Sequence, residues 1–133
     1  MLETLTVQTT RRAELIDITD RIAAVIRGSD ITSGIAVCYV PHTTAGLTIQ
    51  ENADPDVTAD ILYKLDALVP RDDPRFRHAE GNSDAHIKAS LIGSSVTLVV
   101  RASALVLGTW QAIYFCEFDG PRSRHVHVKL LRG

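Results

Sequence analysis

The chain has 133 residues, 45% of them apolar, with 14 basic residues against 16 acidic ones for a formal charge of −2. That length buries a core without metal or disulfide staples and fits a single domain over residues 1–133. The balanced charge argues against nucleic acid as a partner, and no apolar run approaches the roughly twenty residues of a membrane span, so a soluble protein is expected.

In "LETLTVQTT", Leu5 and Val7 alternate with polar neighbours and predict a strand, and "AELIDIT" predicts a second, the two suiting a hairpin. The opening "MLETLTVQTTRR" has neither the basic nor the apolar region of a secretory signal. From Thr19 the spacing of Ile22, Val25 and Ile26 turns helical, with Thr19 as cap and Gly28 as a left-handed terminator. "GIAVCYV" is apolar on both sides, as a strand covered twice would be, and Pro41 interrupts it before "HTTAGLTIQE" resumes strand-like residues. His42 therefore falls at a break in a sheet.

"NADPDVTADILYKLDALVP" predicts a helix with Asp54 as N-cap, Pro55 at its first position and a stripe of Val57, Ile61, Leu65 and Leu68. "RDDPRFRHAEGN" has no periodicity and predicts a loop, after which Ser83 caps a helix carrying Ile87 and Leu91 and ended by Gly93. "SVTLVVR", "LVLGTWQAIYFCEF", bent at Gly108, and "HVHVKLL" complete the chain as strands. Segregated strands and helices without regular alternation predict an α+β fold with mixed or antiparallel sheets and two to three helices. Cys38 and Cys116 lie inside apolar runs, the setting of free buried thiols, which points to a reducing, cytoplasmic compartment.

Five histidines invite a metal reading. His42, alone after a proline, suits a hydrogen-bonded strand end. His78 and His86 flank "AEGNSDA" at a loop-to-helix junction, where a glycine turn can fold both rings onto one centre, with Glu80 and Asn82 as acid/base or supporting partners. His125 and His127 alternate with Val126, Val128 and Leu130, which favours a solvated face for the imidazoles and a buried face for the aliphatics. Glu51, Asp119, Arg122 and Arg124 adjoin apolar strands, and a charge buried there needs a partner or a ligand. Arg122, in the turn "FDGPR", could point toward a phosphate.

Three blocks in this order, "HTTAGLTIQENADPDV", "HAEGNSDAHIKASLIGSS" and "LGTWQAIYFCEFDGPRSR", resemble the YjbQ-like family of secondary thiamine-phosphate synthases. They extend from His42 to Arg124, about two thirds of the chain. In one departure, "TT" and "AG" after His42 stand where related sequences tend to carry Ser and Ala. The resemblance implies a homotrimer with sheets packed around the threefold axis, and a histidine-rich site near a subunit boundary. It also implies a divalent metal, zinc foremost, on His42, His78 and His86, with Glu80, Asn82, Glu51 and Arg122 as neighbours and catalytic candidates. The implied reaction joins a pyrimidine methyl pyrophosphate to a thiazole phosphate, a small phosphorylated molecule being the partner. Two other functions fit the same residues: a metal-dependent hydrolase of a phosphate or ester, and a non-catalytic trimeric protein that binds a small ligand or anion.

Overall fold

A computed structural model describes all 133 residues. The elements run β1 (Leu2–Gln8), β2 (Glu14–Asp17), α1 (Thr19–Arg27), β3 (Ser33–Tyr39), β4 (Ala45–Glu51), α2 (Pro55–Leu68) and α3 (Ser83–Ile92). They continue as β5 (Ser95–Arg101), β6 (Ala104–Leu105), β7 (Gln111–Glu117) and β8 (Ser123–Arg132). The strands form a five-stranded sheet in the order β1-β8-β3-β5-β6 and a three-stranded sheet in the order β2-β7-β4. All pairings are antiparallel, so the α+β class holds without a parallel pair.

The two sheets pack face to face. Their shared core joins Val126, Val128 and Leu130 of β8 to Leu47 of β4, Phe115 of β7 and Ile22 and Ile26 of α1. A smaller cluster on the other side of β7, made by Cys116, Phe118, Ala85 and Ala89, seats α3, with Leu62 and Leu65 of α2 against it. β7 is thus buried on both faces, Phe115 toward one cluster and Cys116 toward the other. At Gly46 a Cβ would stand 2.5 Å from the Gly93 carbonyl oxygen, so only glycine lets β4 receive the end of α3 this closely.

Several local expectations are corrected. β1 and β2 form no hairpin: β1 pairs with β8 and β2 with β7. Residues 9–13 carry the chain between sheets, anchored by Thr9, whose hydroxyl donates to Glu117 Oε1 at 2.8 Å. β3 is sealed on one face only, at Ala36 and Cys38, while Ile35 and Tyr39 are exposed. Ile18 precedes α1, and the Thr19 hydroxyl instead donates to Asp17 at 2.6 Å and accepts the Ile113 N–H at 2.9 Å. Gly28 stays right-handed at φ −77°. Asn82, not Ser83, occupies the cap of α3. Gly108 does not bend a strand but lies between β6 and β7, its N–H donating to Gln111 Oε1. The cap at Asp54 and Pro55 stands as expected, although Leu68 of the α2 stripe is exposed.

Candidate functional site

Besides residues 9–13, two further segments cross between the sheets at one edge of the sandwich. Residues 40–44 lead from β3 in the large sheet to β4 in the small one, and residues 118–122 lead from β7 back to β8. Neither connection belongs to a ladder, so their side chains are free to turn into the space between them. The loop before α3 brings a third segment to the same place. Together they enclose a cavity of about 460 Å³ whose wall is polar apart from Pro41.

The cavity gathers His42, His78, Glu80, Asn82, His86 and Arg122, six of the seven residues singled out from the sequence. Glu51 is not among them. It ends β4, six residues beyond Ala45 and so about 20 Å along the strand, where its carbonyl accepts from the Tyr114 hydroxyl. Thr43, Thr44, Asp119 and Arg124 complete the lining.

The His78 and His86 rings meet edge to face, centroids 5.5 Å apart, with Glu80 3.9 Å from His78 Nε2. On their other side lies a hollow of about 400 Å³ bordered by Phe76, Ser83 and Ile87. Asn82 is buried, and its Nδ2 donates to Asp119 Oδ2 at 2.8 Å. Asp119 in turn accepts from Arg122 Nη2 at 3.0 Å, so Asn82 and Arg122 share one carboxylate. Beneath α3, fully buried Asp84 accepts both Arg12 amino groups at 3.1 and 3.0 Å and Lys88 Nζ at 3.0 Å, fixing the helix that carries His86.

A second buried ion pair underlies the cavity. Glu117, at the end of β7, is fully buried and accepts from Arg124 Nε at 2.9 Å, Thr9 Oγ1 at 2.8 Å and the Asp119 N–H at 3.0 Å. Arg124 Nη2 pairs with Glu117 Oε2 and donates to Thr44 Oγ1 at 2.8 Å. Burial alone would push the Glu117 carboxyl up, but the hydrogen bonds from Arg124, Asp119 and Thr9 outweigh it and hold the group below the ordinary carboxylate range.

His42 is held by β8: the His125 backbone N–H donates to His42 Nε2 at 2.9 Å, and the His125 ring lies stacked over it at 6.2 Å. A neutral ring that accepts at Nε2 carries its proton on Nδ1 and keeps no lone pair for a metal. Burial, then the charges of Arg124 and His125, push this imidazole's pKa down, which favours that neutral form. The three-histidine metal centre implied by the resemblance is therefore not formed in this arrangement. No group of three or more His, Cys, Asp or Glu side chains is placed to hold an ion.

His127 lies away from the cavity, its Nδ1 bonded to Thr4 Oγ1 at 2.9 Å, and Val126, Val128 and Leu130 fill the core as their alternation required. The same alternation puts Arg124 on the buried face, where Glu117 is the partner that a charge adjoining apolar strands requires. Both cysteines are free and buried, which raises their thiols to about 12 and leaves them unsuited to act as nucleophiles.

Comparison with known proteins gives a consistent result. The family model described as "UPF0047 protein YjbQ-like" matches residues 3–133. The chain is 52% identical to the UPF0047 protein YugU of Bacillus subtilis over 98% of this chain and 99% of that one. It is 53% identical to a UPF0047 protein of Methanocaldococcus jannaschii over 98% and 94%. Among solved structures, a YjbQ/UPF0047 protein of Clostridium acetobutylicum superposes with a TM-score of 0.94 at 50% identity, covering 97% and 99% of the two chains. A protein of unknown function from Sulfolobus solfataricus does so with a TM-score of 0.94 at 34% identity, covering 100% and 97%.

Proposed function

The chain belongs to the YjbQ-like UPF0047 family, and on that premise we propose that it is a phosphate-handling enzyme whose substrate places a phosphate or pyrophosphate in the polar cavity. The observation that carries this reading is the cavity wall itself: three imidazoles and two guanidiniums from separate segments meet there with no aliphatic or aromatic hydrocarbon side chain beyond Pro41. Such a wall suits a multiply charged anion, since donors fixed before binding need not reorganise when charge develops.

The reaction implied by the family resemblance uses these parts. The carbon–oxygen bond between the pyrimidine methylene and pyrophosphate breaks, its electron pair leaving on pyrophosphate. The thiazole nitrogen then supplies the pair for the new carbon–nitrogen bond. Guanidinium and imidazole groups neutralise the leaving group, and His78 or His86 protonates it. The hollow beside Phe76 and Ile87 offers an apolar seat for a ring next to the same two imidazoles. No step is assigned to a divalent metal, because His42 is engaged by the His125 amide. For the same reason metal-dependent hydrolysis is the weaker reading. Titration calorimetry with inorganic pyrophosphate tests the anion site: saturable heat at one site per chain is expected, and heats equal to dilution would remove the reading. Thiamine phosphate formation from the two precursors in the presence of chelator separates the transferase from a binding protein.

We also propose that three copies assemble through the outer face of the large sheet. Register aligns Ile35 with Val99 on one side and Leu131 on the other, and these are 42%, 57% and 49% exposed. A contiguous aliphatic patch at the middle of an open sheet needs a cover, and closed threefold symmetry supplies one. Val99→Asp is expected to yield a folded monomer by light scattering. A wild-type chain that is already monomeric at micromolar concentration would sink the assembly.

A further inference from the structure

The sequence directs attention to Arg122 as the cation that meets a phosphate, but the structure favours another residue two positions on. Arg122 is half exposed and already bound to Asp119, its Nε donating to the backbone carbonyl at 2.9 Å and its Nη2 to Oδ2 at 3.0 Å. A charge so placed is screened by water and tied to a carboxylate of its own turn.

Arg124 differs in each respect. It is only 3% exposed, at the start of β8, yet it lines the cavity. Its Nε and Nη2 are committed to Glu117 and Thr44. Nη1 has no partner in the chain. It is also not one of the two buried side-chain atoms lacking a hydrogen bond, which are Arg12 Nε and Asn82 Oδ1. An unbonded amino group on a buried guanidinium that borders a cavity has one direction left, the cavity itself. We propose that Arg124 Nη1 is the principal anion contact of the site, donating to a terminal oxygen of the bound phosphate, with Arg122 a peripheral charge. This rests on the phosphate-handling reading and names the residue that executes it.

The arrangement has the marks of a prepared contact. Glu117, itself held by Thr9, and Thr44 fix the guanidinium plane, so the rotamer freedom of a long side chain is lost on folding and not again on binding. Glu117 is saturated by its own donors and does not compete for Nη1. The amide next along the strand holds the His42 ring, so one stretch of β8 positions both Arg124 and His42.

Titration of Arg124→Lys and Arg122→Gln with inorganic pyrophosphate decides the matter. Lysine keeps the charge that faces Glu117 but lacks the second amino group, so affinity is expected to fall at least tenfold with far-UV ellipticity unchanged. Arg122→Gln is expected to lose less than threefold. The opposite ranking, or an Arg124→Lys protein that binds as wild type does, overturns the assignment. Should the lysine variant not fold, the side-chain ¹⁵N resonances of the wild-type protein serve: those of Arg124 are expected to shift on adding pyrophosphate while those of Arg122 stay. Arg124 signals unmoved under saturating pyrophosphate overturn the proposal. Wild-type heats equal to dilution instead remove the anion site as a whole, a result distinct from either.

Discussion

Replacing Glu117 by alanine is expected to destabilise the chain by about 3–5 kcal/mol, the range seen when one member of a buried ion pair is removed. The carboxylate is fully buried and satisfies the Arg124 guanidinium, the Thr9 hydroxyl and the Asp119 N–H together. Its loss leaves a buried cation without a counter-charge and strips the Asp119 N–H of its acceptor, while the Thr9 hydroxyl can still turn to the Arg122 carbonyl at 3.0 Å. Urea unfolding monitored at the single tryptophan, Trp110, measures the effect, and a shift below about 1 kcal/mol would contradict it. Adding Arg124→Met to the alanine variant is expected to recover part of the loss, because the stranded charge is then gone. Acid acts in the same direction. The folded carboxyl sits below its unfolded value, so the stability it contributes is complete above the unfolded pKa of about 4.3 and is lost as pH falls through the folded one. The alanine variant should lose that segment of the pH dependence.

His86→Ala and His78→Ala are each expected to lower thiamine phosphate formation by about 10²- to 10⁴-fold, the usual worth of a positioned general acid or base. Neither ring is packed in the core, so the folded state should survive with stability within about 0.5 kcal/mol of wild type. The pair meet at 5.5 Å between centroids and border both the polar cavity and the apolar hollow, where the reacting atoms of a two-part substrate would lie. Non-additivity is the sharper sign: the double variant should fall little further than the worse single one if the rings act as a unit. Turnover in the double variant equal to wild type would remove these histidines from the chemistry.

Much of the fold was legible, because β8 and the helix after Asp54 carry strong periodicity and capping signals that tertiary context did not override. What escaped were partnerships. Nothing local tells β1 that its neighbour is β8 at the far end of the chain rather than β2, since register is chosen by long-range packing. "GIAVCYV" read as doubly covered because its exposed side is also apolar, a property that composition cannot distinguish from burial. At the site, six of seven candidates converged because their motifs lie on the segments that cross between sheets or open α3. Glu51 closed its motif in sequence but lies at the wrong end of a strand. Arg122 carries the stronger local signal because it sits in a turn of Asp, Gly and Pro, whereas Arg124 is marked by its phase with Val126, Val128 and Leu130, which buries it and requires a carboxylate partner.

β8 carries Arg124 at one end and Leu131 near the other, about 24 Å away along a single hydrogen-bonded strand. The first residue borders the cavity and the second belongs to the aliphatic patch. Whatever grips that patch therefore also grips the rod on which the guanidinium is mounted. The guanidinium and the patch thus keep a spacing set by one strand's rise per residue.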